Sequence, residues 1–440
     1  MSCKVRFAPS PTGFMHVGNA RIAIVNYLFA RQMGGRFIFR IDDTDSERST
    51  KEYEDAIISD LAWLQISYNE TFRQSERTTR YGDIRNDLAS RGILYKCYES
   101  QEELEYKRRM ALAGGRPPVY DREALTLTDD QIRKFAADGV KPYWRFKLPN
   151  KTISWDDIVL GHVSYDLANV SDPVVVKADG TYLYSFSSVV DDVDTGITHI
   201  IRGQDHVTNT AVQIAMFDAV SNGQYDVKFA HLSLLVNKDG SQFSKRLGGM
   251  SIGDFRSSGI DPMAIACLLA TLGTSINVKP FQTMDELVEY FDIAAFGTNS
   301  PKFDAEDVVK LNKKILQLKR YEDVKQYVSS REIFEATKNN IETYNDFAVW
   351  NEVLARGYDP DYEPTESEAA VLKVALKHIH VACSARFLED VQSESGVSGK
   401  ALYMPLRKAL TGFEHGPNMS DLLSVLGIEE IERRLTLFVK

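Results

Sequence analysis

Cysteine is sparse and unpaired in this sequence. Cys3, Cys97, Cys267 and Cys383 are each more than ninety residues from the next, and no CxxC pair occurs. This spacing excludes a disulfide framework and a thiolate zinc cluster, and is the thiol usage of a reducing compartment. Long apolar runs are also missing. The most apolar window, Met263 to Leu272, holds about ten residues where a bilayer span needs about twenty, so no membrane association is expected. Lys4, Arg6, Pro9 and Pro11 interrupt the first residues, unlike a secretory signal, and a cytoplasmic protein is expected. Positive charge is not in excess either. With 52 basic against 62 acidic residues, the formal net charge of -10 argues against coating nucleic acid by bulk electrostatics, so an RNA partner would need local basic patches. Internal repeats and low-complexity tracts are absent.

What is present is an ordinary globular composition, 43% hydrophobic, 10% aromatic and 26% charged, over 440 residues. At about 150 residues per domain this suggests about three domains, each able to bury a sizeable core. Val5-Arg6-Phe7-Ala8 reads as a strand cut by Pro9-Ser10-Pro11-Thr12-Gly13. A helix beginning near Gly18-Asn19 follows, with Ile22, Val25, Leu28 and Phe29 at three-to-four spacing and a stop at Gly34-Gly35. Arg36 to Ile41 is a second strand, leading into Asp42-Asp43-Thr44-Asp45; Ser49 and Glu52 then stand at capping-box spacing before another helix. Alternating strand and helix argue for a parallel α/β sheet. From about Glu99 to Tyr184 the texture is that of an inserted subdomain, after which Val189 to Asp192, Thr198 to Arg202 and Leu232 to Val236 read as strands. The remainder reads as helical: Asp261-Pro262 starts a helix that Gly273 stops, Thr365 and Glu368 form a capping box, and Glu429/Arg433 and Glu430/Arg434 are spaced for ion pairs.

Two segments carry the chemistry. Residues 9–19, PSPTGFMHVGN, lie between a strand and a helix, where backbone N–H groups and the positive helix end suit a phosphate. No Lys-Ser/Thr follows Gly18 and no GxGxxG occurs, so this is neither a P-loop nor a dinucleotide fingerprint. His16 is placed to donate to a phosphoryl oxygen, although its position also suits an exposed loop histidine. Residues 238–249, KDGSQFSKRLGG, set Ser-Lys-Arg between glycines, a loop that can carry an ammonium onto a polyphosphate; taken alone, a solvated basic loop is the better explanation of it.

Together, HVGN within RFAPSPTGFMHVGNAR and SKR about 225 residues later resemble the HIGH and KMSKS pair of class I aminoacyl-tRNA synthetases. RIDDTDSERS, RQSERTTRY, YKCY, YSFSSVVDD, HIIRGQDH and FSKRLGG, in this order over nearly the whole chain, resemble the glutamyl-tRNA synthetases of bacterial type. The resemblance implies an α/β Rossmann-like parallel-sheet catalytic domain with an α+β insertion, followed by an all-α C-terminal anticodon-binding domain. Its expected boundaries are 1–98 with 187–250 for the catalytic domain, 99–186 for the insertion that packs on the tRNA acceptor end, 251–318 for a linking fold and 319–440 for the anticodon domain.

The implied activity is ATP-dependent ligation of L-glutamate to tRNA(Glu) through a glutamyl-adenylate, with magnesium assisting. Such a reaction needs positioning and charge neutralisation rather than a general base. By family position His16 and Lys245 are the catalytic pair, and ATP is held by His16, Gly18, Asn19, Gln204, Leu235, Ser244, Lys245 and Arg246. Glutamate is expected on Arg6, Ala8, Ser10, Asp42, Tyr184, Ser188 and Arg202, since an arginine fork takes a carboxylate bidentately. A salt bridge from Arg6 to Asp42 or Asp43 is compatible with that role. Asp43, Asp191 and Asp192 are expected near the acceptor end; the last two also read as a strand terminus with a turn. Lys302, Lys310, Lys313, Lys314, Lys319 and Arg320 offer a phosphate-contacting seam or a solvated helix face.

Some features depart from the family pattern. Asp42 and Gln204 stand where many members have Glu, and Cys97-Tyr98-Glu99 lacks the CxC pair that holds zinc in some members, so no structural zinc is expected. A monomer is expected. The alternatives are a related enzyme that accepts or prefers tRNA(Gln), making Glu-tRNA(Gln) for an amidotransferase, and an inactive tRNA-binding paralogue. A shorter relative that glutamylates queuosine lacks the helical C-terminal part and is disfavoured by length.

Overall fold

The computed structural model describes residues 2–45, 47–241, 250–384 and 386–439. Its chain divides into two compact units, one of Met1–Asp254, Ala266–Lys279 and Thr283–Asp304, the other of Phe255–Ile265, Pro280–Gln282 and Ala305–Lys440.

The first unit opens with β1 (Lys4–Phe7), α1 (Val17–Gln32), β2 (Arg36–Ile41), α2 (Lys51–Trp63), β3 (Glu70–Arg73), α3 (Thr78–Ser90) and β4 (Leu94–Cys97). β1, β2 and β3 pair in parallel in that order, Val5 facing Phe37 and Phe39 facing Thr71. The near-continuous apolar text of β2 is what a parallel strand covered on both faces requires. The expected capping box at Ser49 is displaced by one residue: Thr50 caps α2, accepting from the Tyr53 N–H at 3.3 Å.

There follow α4 (Gln101–Ala113), α5 (Asp129–Ala137), β5 (Tyr143–Phe146), β6 (Thr152–Asp157), β7 (Gly161–Asp166) and β8 (Val174–Val176). β4, β5 and β8 form a small antiparallel sheet, whereas the β6–β7 hairpin leaves it and joins the main sheet. The chain resumes with α6 (Tyr184–Thr195), β9 (His199–Gly203), α7 (Val207–Ser221), β10 (Lys228–Leu232) and β11 (Val236–Asn237). β10 runs parallel to both β9 and β6. The start of β9 is tied to β1, because Thr198 N–H donates to the Lys4 carbonyl at 2.9 Å and Lys4 N–H to Thr198 Oγ1 at 2.8 Å. The strand sequence is thus β3, β2, β1, then β9 and β10, with connections diverging from β1. In open α/β sheets, such a switch point opens a crevice at the carboxyl ends of the strands.

Val189 to Asp192, expected as a strand, lies inside α6. Phe186, Val189 and Val190 of this helix enter the core while Ser187, Ser188, Asp191 and Asp192 are buried too. A helix buried all round has no amphipathic period, and a short apolar run cannot then be told from a strand. The segment expected as a strand at Leu232 to Val236 is instead the end of β10, a turn and the start of β11.

α8 (Ile252–Ser257) and α9 (Pro262–Thr271) run through boundary residues of the two units, and α10 (Met284–Tyr290) and β12 (Lys302–Phe303) complete the first. The second unit holds α11 (Ala305–Leu318), α12 (Tyr321–Val324), α13 (Arg331–Thr337), α14 (Asp346–Val353), α15 (Glu366–Lys377), α16 (Arg386–Ser395), α17 (Lys400–Thr411) and α18 (Met419–Thr436). Its core includes Phe334, Phe347, Leu372, Phe387, Leu406 and Leu422. Buried Arg434 donates to Glu430 at 2.8 Å and to the carbonyls of Val353 and Ala355. Arg433 departs from its expected partner Glu429 and pairs with Glu430 and Asp359.

Candidate active site

The crevice at the switch point is a cavity of about 540 Å³. It is built from the turn after β1 (Ala8, Pro9, Ser10, Thr12), the first turn of α1, the ends of β9 and β10, and Tyr184 at the head of α6.

His16 is the N-cap of α1. Its Nδ1 accepts the backbone N–H groups of Gly18 at 3.1 Å and Asn19 at 3.4 Å. An accepting Nδ1 leaves the proton of a neutral imidazole on Nε2, so the cap fixes the tautomer. Gly18 is a steric requirement of this arrangement, because a Cβ there would meet His16 Cε1 at 2.9 Å. Sequence reasoning gave His16 and Gly18 separate contacts with ATP; the structure makes one the seat of the other.

Arg6, Ala8, Ser10, His16, Gly18, Asn19, Tyr184, Arg202 and Leu235, all expected site residues, line the cavity. Arg202, only 5% exposed, donates to Tyr184 Oη at 3.1 Å and Thr210 Oγ1 at 2.6 Å, with His231 Nε2 at 3.5 Å from its Nε. These partners are neutral, and burial holds the guanidinium below its ordinary pKa. A buried cation surrounded by neutral acceptors is costly unless an anion joins it, and a carboxylate matches its fork. Arg6 Nε lies 3.3 Å from Asp192, the carboxylate it uses in place of Asp42 or Asp43.

Several expected residues are elsewhere. Asp42 does not border the cavity, since Arg40 engages both its oxygens at 2.6 and 3.1 Å. Burial pushes its carboxyl up to about 6 against the opposing pull of Arg40. Asp191 and Asp192, expected near the acceptor end, are both buried, Asp191 receiving Gln74, Arg77 and Tyr81, and Asp192 receiving Arg6 and Arg40. Arginines and aspartates meeting inside the unit can be buried only as partners, which is why these acids turn inward. Ser188 likewise faces inward, donating to the Tyr184 carbonyl at 2.6 Å and accepting from Gln213 at 3.1 Å, which joins α6 to α7. Asp43 accepts from Ser75 N–H and Oγ at 2.8 and 2.7 Å. Gln204 sits on a 3-10 turn whose neighbours Asp205 and His206, rather than Gln204 itself, line the cavity.

Ser244, Lys245 and Arg246 lie outside the described residues. The segment that carries them leaves from β11, which pairs with β12, and returns at Ser251 and Ile252. Ser251 bridges His16 and the Ile252 N–H donates to the Met15 carbonyl at 2.9 Å, so the far end of that segment is stitched to the His16 turn.

The structure adds residues that the sequence did not single out. Arg21, buried on α1, donates to the carbonyls of Ser233 at 2.6 Å and Leu272 at 2.8 Å beneath the cavity, with its pKa lowered to about 10 by burial. His206 packs against the Tyr184 ring, its centroid 5.5 Å away, and is held below its ordinary pKa by burial and by Arg202. Residue type alone gives no sign of either contact. In the second unit the basic run is largely paired: Lys310 with Asp307, Lys313 with Glu342, Lys319 with Asp261 and Arg320 with Asp323. That removes most of the local positive excess expected there.

Comparison with known proteins places this site in a family. Residues 2–310 match the model of the tRNA synthetases class I (E and Q), catalytic domain, and residues 310–439 that of an anticodon binding domain. The chain is 44% identical to "Glutamate--tRNA ligase 1" of Maricaulis maris and 43% identical to "Glutamate--tRNA ligase 2" of Granulibacter bethesdensis, each alignment covering 98% of both chains. A crystal structure of a glutamate tRNA ligase from Elizabethkingia meningosepticum in complex with its amino acid superposes with a TM-score of 0.85 at 27% identity, covering 99% of each chain. The chain therefore belongs to the class I tRNA synthetases for glutamate and glutamine, in the branch of the glutamate–tRNA ligases.

Proposed function

We propose that the protein ligates L-glutamate to the 3′ end of tRNA(Glu), using ATP and passing through a glutamyl-adenylate. The observation that carries this reading is Arg202, a buried guanidinium whose described partners are neutral, on the wall of a cavity that also contains Arg6 and the His16 turn. The side-chain carboxylate of glutamate supplies the missing anion, and the Tyr184 hydroxyl, which accepts from Arg202, has its own proton to donate to it.

An α-carboxylate oxygen of glutamate then attacks the α-phosphorus of ATP. The new O–P bond forms as the bond to pyrophosphate breaks, and no proton has to be removed. His16, with its ring proton on Nε2, donates to a phosphoryl oxygen, and the N–H groups at the start of α1 face the same charge. Lys245, which lies outside the described residues, is assigned the neutralisation of the departing pyrophosphate. Asp205 is a carboxylate on the cavity wall, and one carboxylate with phosphate oxygens and water is a donor set that magnesium takes, so the ion suits the site as a companion of ATP. In the second half-reaction a ribose hydroxyl of the terminal adenosine attacks the activated carbonyl, the new ester C–O bond forms as the bond to the phosphate oxygen breaks, and AMP leaves with the hydroxyl proton passing to its phosphate. The inserted segment 99–186 is assigned to the acceptor end, residues 251–318 to a linking role and 319–440 to the anticodon. The four cysteines are free thiols, in keeping with action in the cytoplasm, as a monomer.

Aminoacylation with radiolabelled glutamate and separate glutamate and glutamine tRNAs tests this. Charging of tRNA(Glu) is expected, the ratio of the two rates measures the tRNA choice, and charging of neither overturns the reading.

A further inference from the structure

Behind Arg202 lies a chain of buried polar groups that meets the cavity wall at that arginine and at the His206 carbonyl, 3.2 Å from Thr210 Oγ1. It begins in the inserted segment. β6 ends at Asp157, which pairs with Phe229 of β10, and the Ile158 N–H donates to the Phe229 carbonyl at 2.9 Å. Asp157 Oδ1 accepts the N–H groups of Val159, Leu160 and His231, each at 3.1 Å, and its Oδ2 faces His231 Nδ1 at 2.5 Å. His231 Nε2 is 2.8 Å from Thr210 Oγ1, and Thr210 Oγ1 in turn accepts from Arg202 Nη2 at 2.6 Å. His231 and Thr210 have no exposed surface.

Thr210 Oγ1 has two acceptors in reach, the His206 carbonyl at 3.2 Å and His231 Nε2 at 2.8 Å, and the position of the imidazole proton decides between them. Asp157 is held below its ordinary pKa by its hydrogen bonds from His231 and the backbone, which outweigh burial, and so it accepts at both oxygens. Burial keeps His231 below its ordinary value despite Asp157, so its ring is neutral. The Nδ1 proton therefore points at Asp157 and Nε2 is an acceptor. Thr210 gives its single proton to Nε2, which leaves an oxygen lone pair for the Arg202 Nη2–H. The Arg202 Nε–H also faces the Nε2 lone pair, at 3.5 Å. With one Nη1–H taken by Tyr184 and one Nη2–H by Thr210, each terminal nitrogen keeps one N–H to give to a carboxylate.

We propose that Asp157, His231 and Thr210 are positioning residues for glutamate selection: a relay that locks the Arg202 guanidinium in the orientation that receives the substrate carboxylate, with its far end supplied by the inserted segment. This rests on the reading of Arg202 as the carboxylate-binding residue. A consequence is that the inserted segment has a second duty besides any contact with tRNA, since the geometry of the amino-acid site depends on β6.

Steady-state aminoacylation by the full chain tests the relay, with glutamate and ATP varied separately and thermal melting recorded for each variant. In Asp157→Asn, the amide oxygen keeps the backbone N–H groups and the NH2 turns to His231 Nδ1, which reverses the tautomer and sets Nε2–H against Arg202 Nε–H; the same reversal underlies the loss when a buried aspartate behind a catalytic histidine becomes asparagine. The expected result is a rise of about tenfold in the KM for glutamate, from loss of one hydrogen bond to a charged group, with the KM for ATP changed less than about threefold. Thr210→Val keeps the buried volume and removes the hydroxyl, and is expected to give the same split, whereas Thr210→Ser restores a glutamate KM within about threefold of wild type. Arg202→Lys is the control for the underlying reading and must itself raise the glutamate KM. If Arg202→Lys does so while Asp157→Asn and Thr210→Val keep the wild-type value, the relay is packing only and the proposal is overturned. If Asp157→Asn loses stability and both KM values shift, Thr210→Val decides, and an unchanged glutamate KM there overturns it. An unchanged glutamate KM in Arg202→Lys instead refutes the reading on which the relay rests.

Discussion

Replacing Gly18 by alanine perturbs the site through a single methyl group. A Cβ at this position would lie 2.9 Å from His16 Cε1 and 3.0 Å from Nδ1, closer than carbon and nitrogen approach without displacement. The bridge to Ser251 and the Ala20 N–H, which donates to the His16 carbonyl at 3.0 Å, hold the His16 main chain, so the imidazole is the part that yields. It cannot rotate away and still accept from the Gly18 and Asn19 N–H groups, and losing this cap costs about 1 kcal/mol of stability, the usual value for an N-cap. The kinetic cost is larger in consequence than in energy. An imidazole moved off its phosphoryl partner forfeits a hydrogen bond to a charged group, about 1.5–3 kcal/mol, or roughly ten- to hundredfold in rate. Aminoacylation with radiolabelled glutamate at varied ATP, with a melting curve alongside, reads both effects. The expected variant remains folded, melts slightly earlier and loses rate at saturating glutamate while its KM for glutamate is unchanged. Wild-type rate with wild-type ATP dependence would refute the reasoning, and a changed glutamate KM with normal ATP behaviour would place His16 at the wrong substrate.

Lys245→Ala is expected to slow adenylate formation by orders of magnitude and to leave tRNA affinity nearly unchanged; equal loss of both in a binding and rate comparison would make the segment structural. Asp191→Asn removes one carboxylate from buried Arg40, which keeps Asp42 and Asp192, and from part-exposed Arg77, which keeps Asp194, so a loss of about 1–3 kcal/mol in chemical denaturation is expected, with no change in the KM for tRNA in the protein that remains folded; a selective tRNA defect would contradict its inward placement. Glu430 is held down to about 2, from an ordinary value of 4.5, by Arg433 and Arg434 against the opposing effect of burial. A depressed carboxylate stabilises the fold above its unfolded pKa, so about 3 kcal/mol is expected to be lost as pH falls from about 4.5 through about 2. Unfolding of Glu430→Gln followed by the far-ultraviolet signal should lack that acid-dependent loss; an identical pH profile would show that the pair contributes nothing.

Local signals in the sequence were strong where a residue acts on its own neighbours. Arg36 to Ile41 is read as a strand because its apolar residues need two covered faces, and the strand occupies those same residues. Thr365 and Glu368 form their capping box and Gly412 ends α17 in a left-handed conformation, because such caps are settled within four residues. His16, Arg6, Tyr184 and Arg202 meet in one cavity although they come from four separate segments, and their assembly was legible only through blocks whose order is that of a family. The strand reading of Val189 to Asp192 failed for a general reason: a helix covered on every side leaves no period for sequence to display.

The sequence by itself determined the class of fold, the family and the two segments proposed to handle phosphate, because these depend on residue type, local spacing and motif order. Only the tertiary structure decided which charges are paired inside the fold. Arg6, Arg40, Arg77 and Arg202 are alike as text, yet the first three have aspartates as buried partners and the fourth has neutral ones. Whether a buried charge is compensated depends on groups brought from distant parts of the chain, so Asp42, Asp191 and Asp192 became interior counter-ions while Arg202 is hydrogen-bonded to neutral groups.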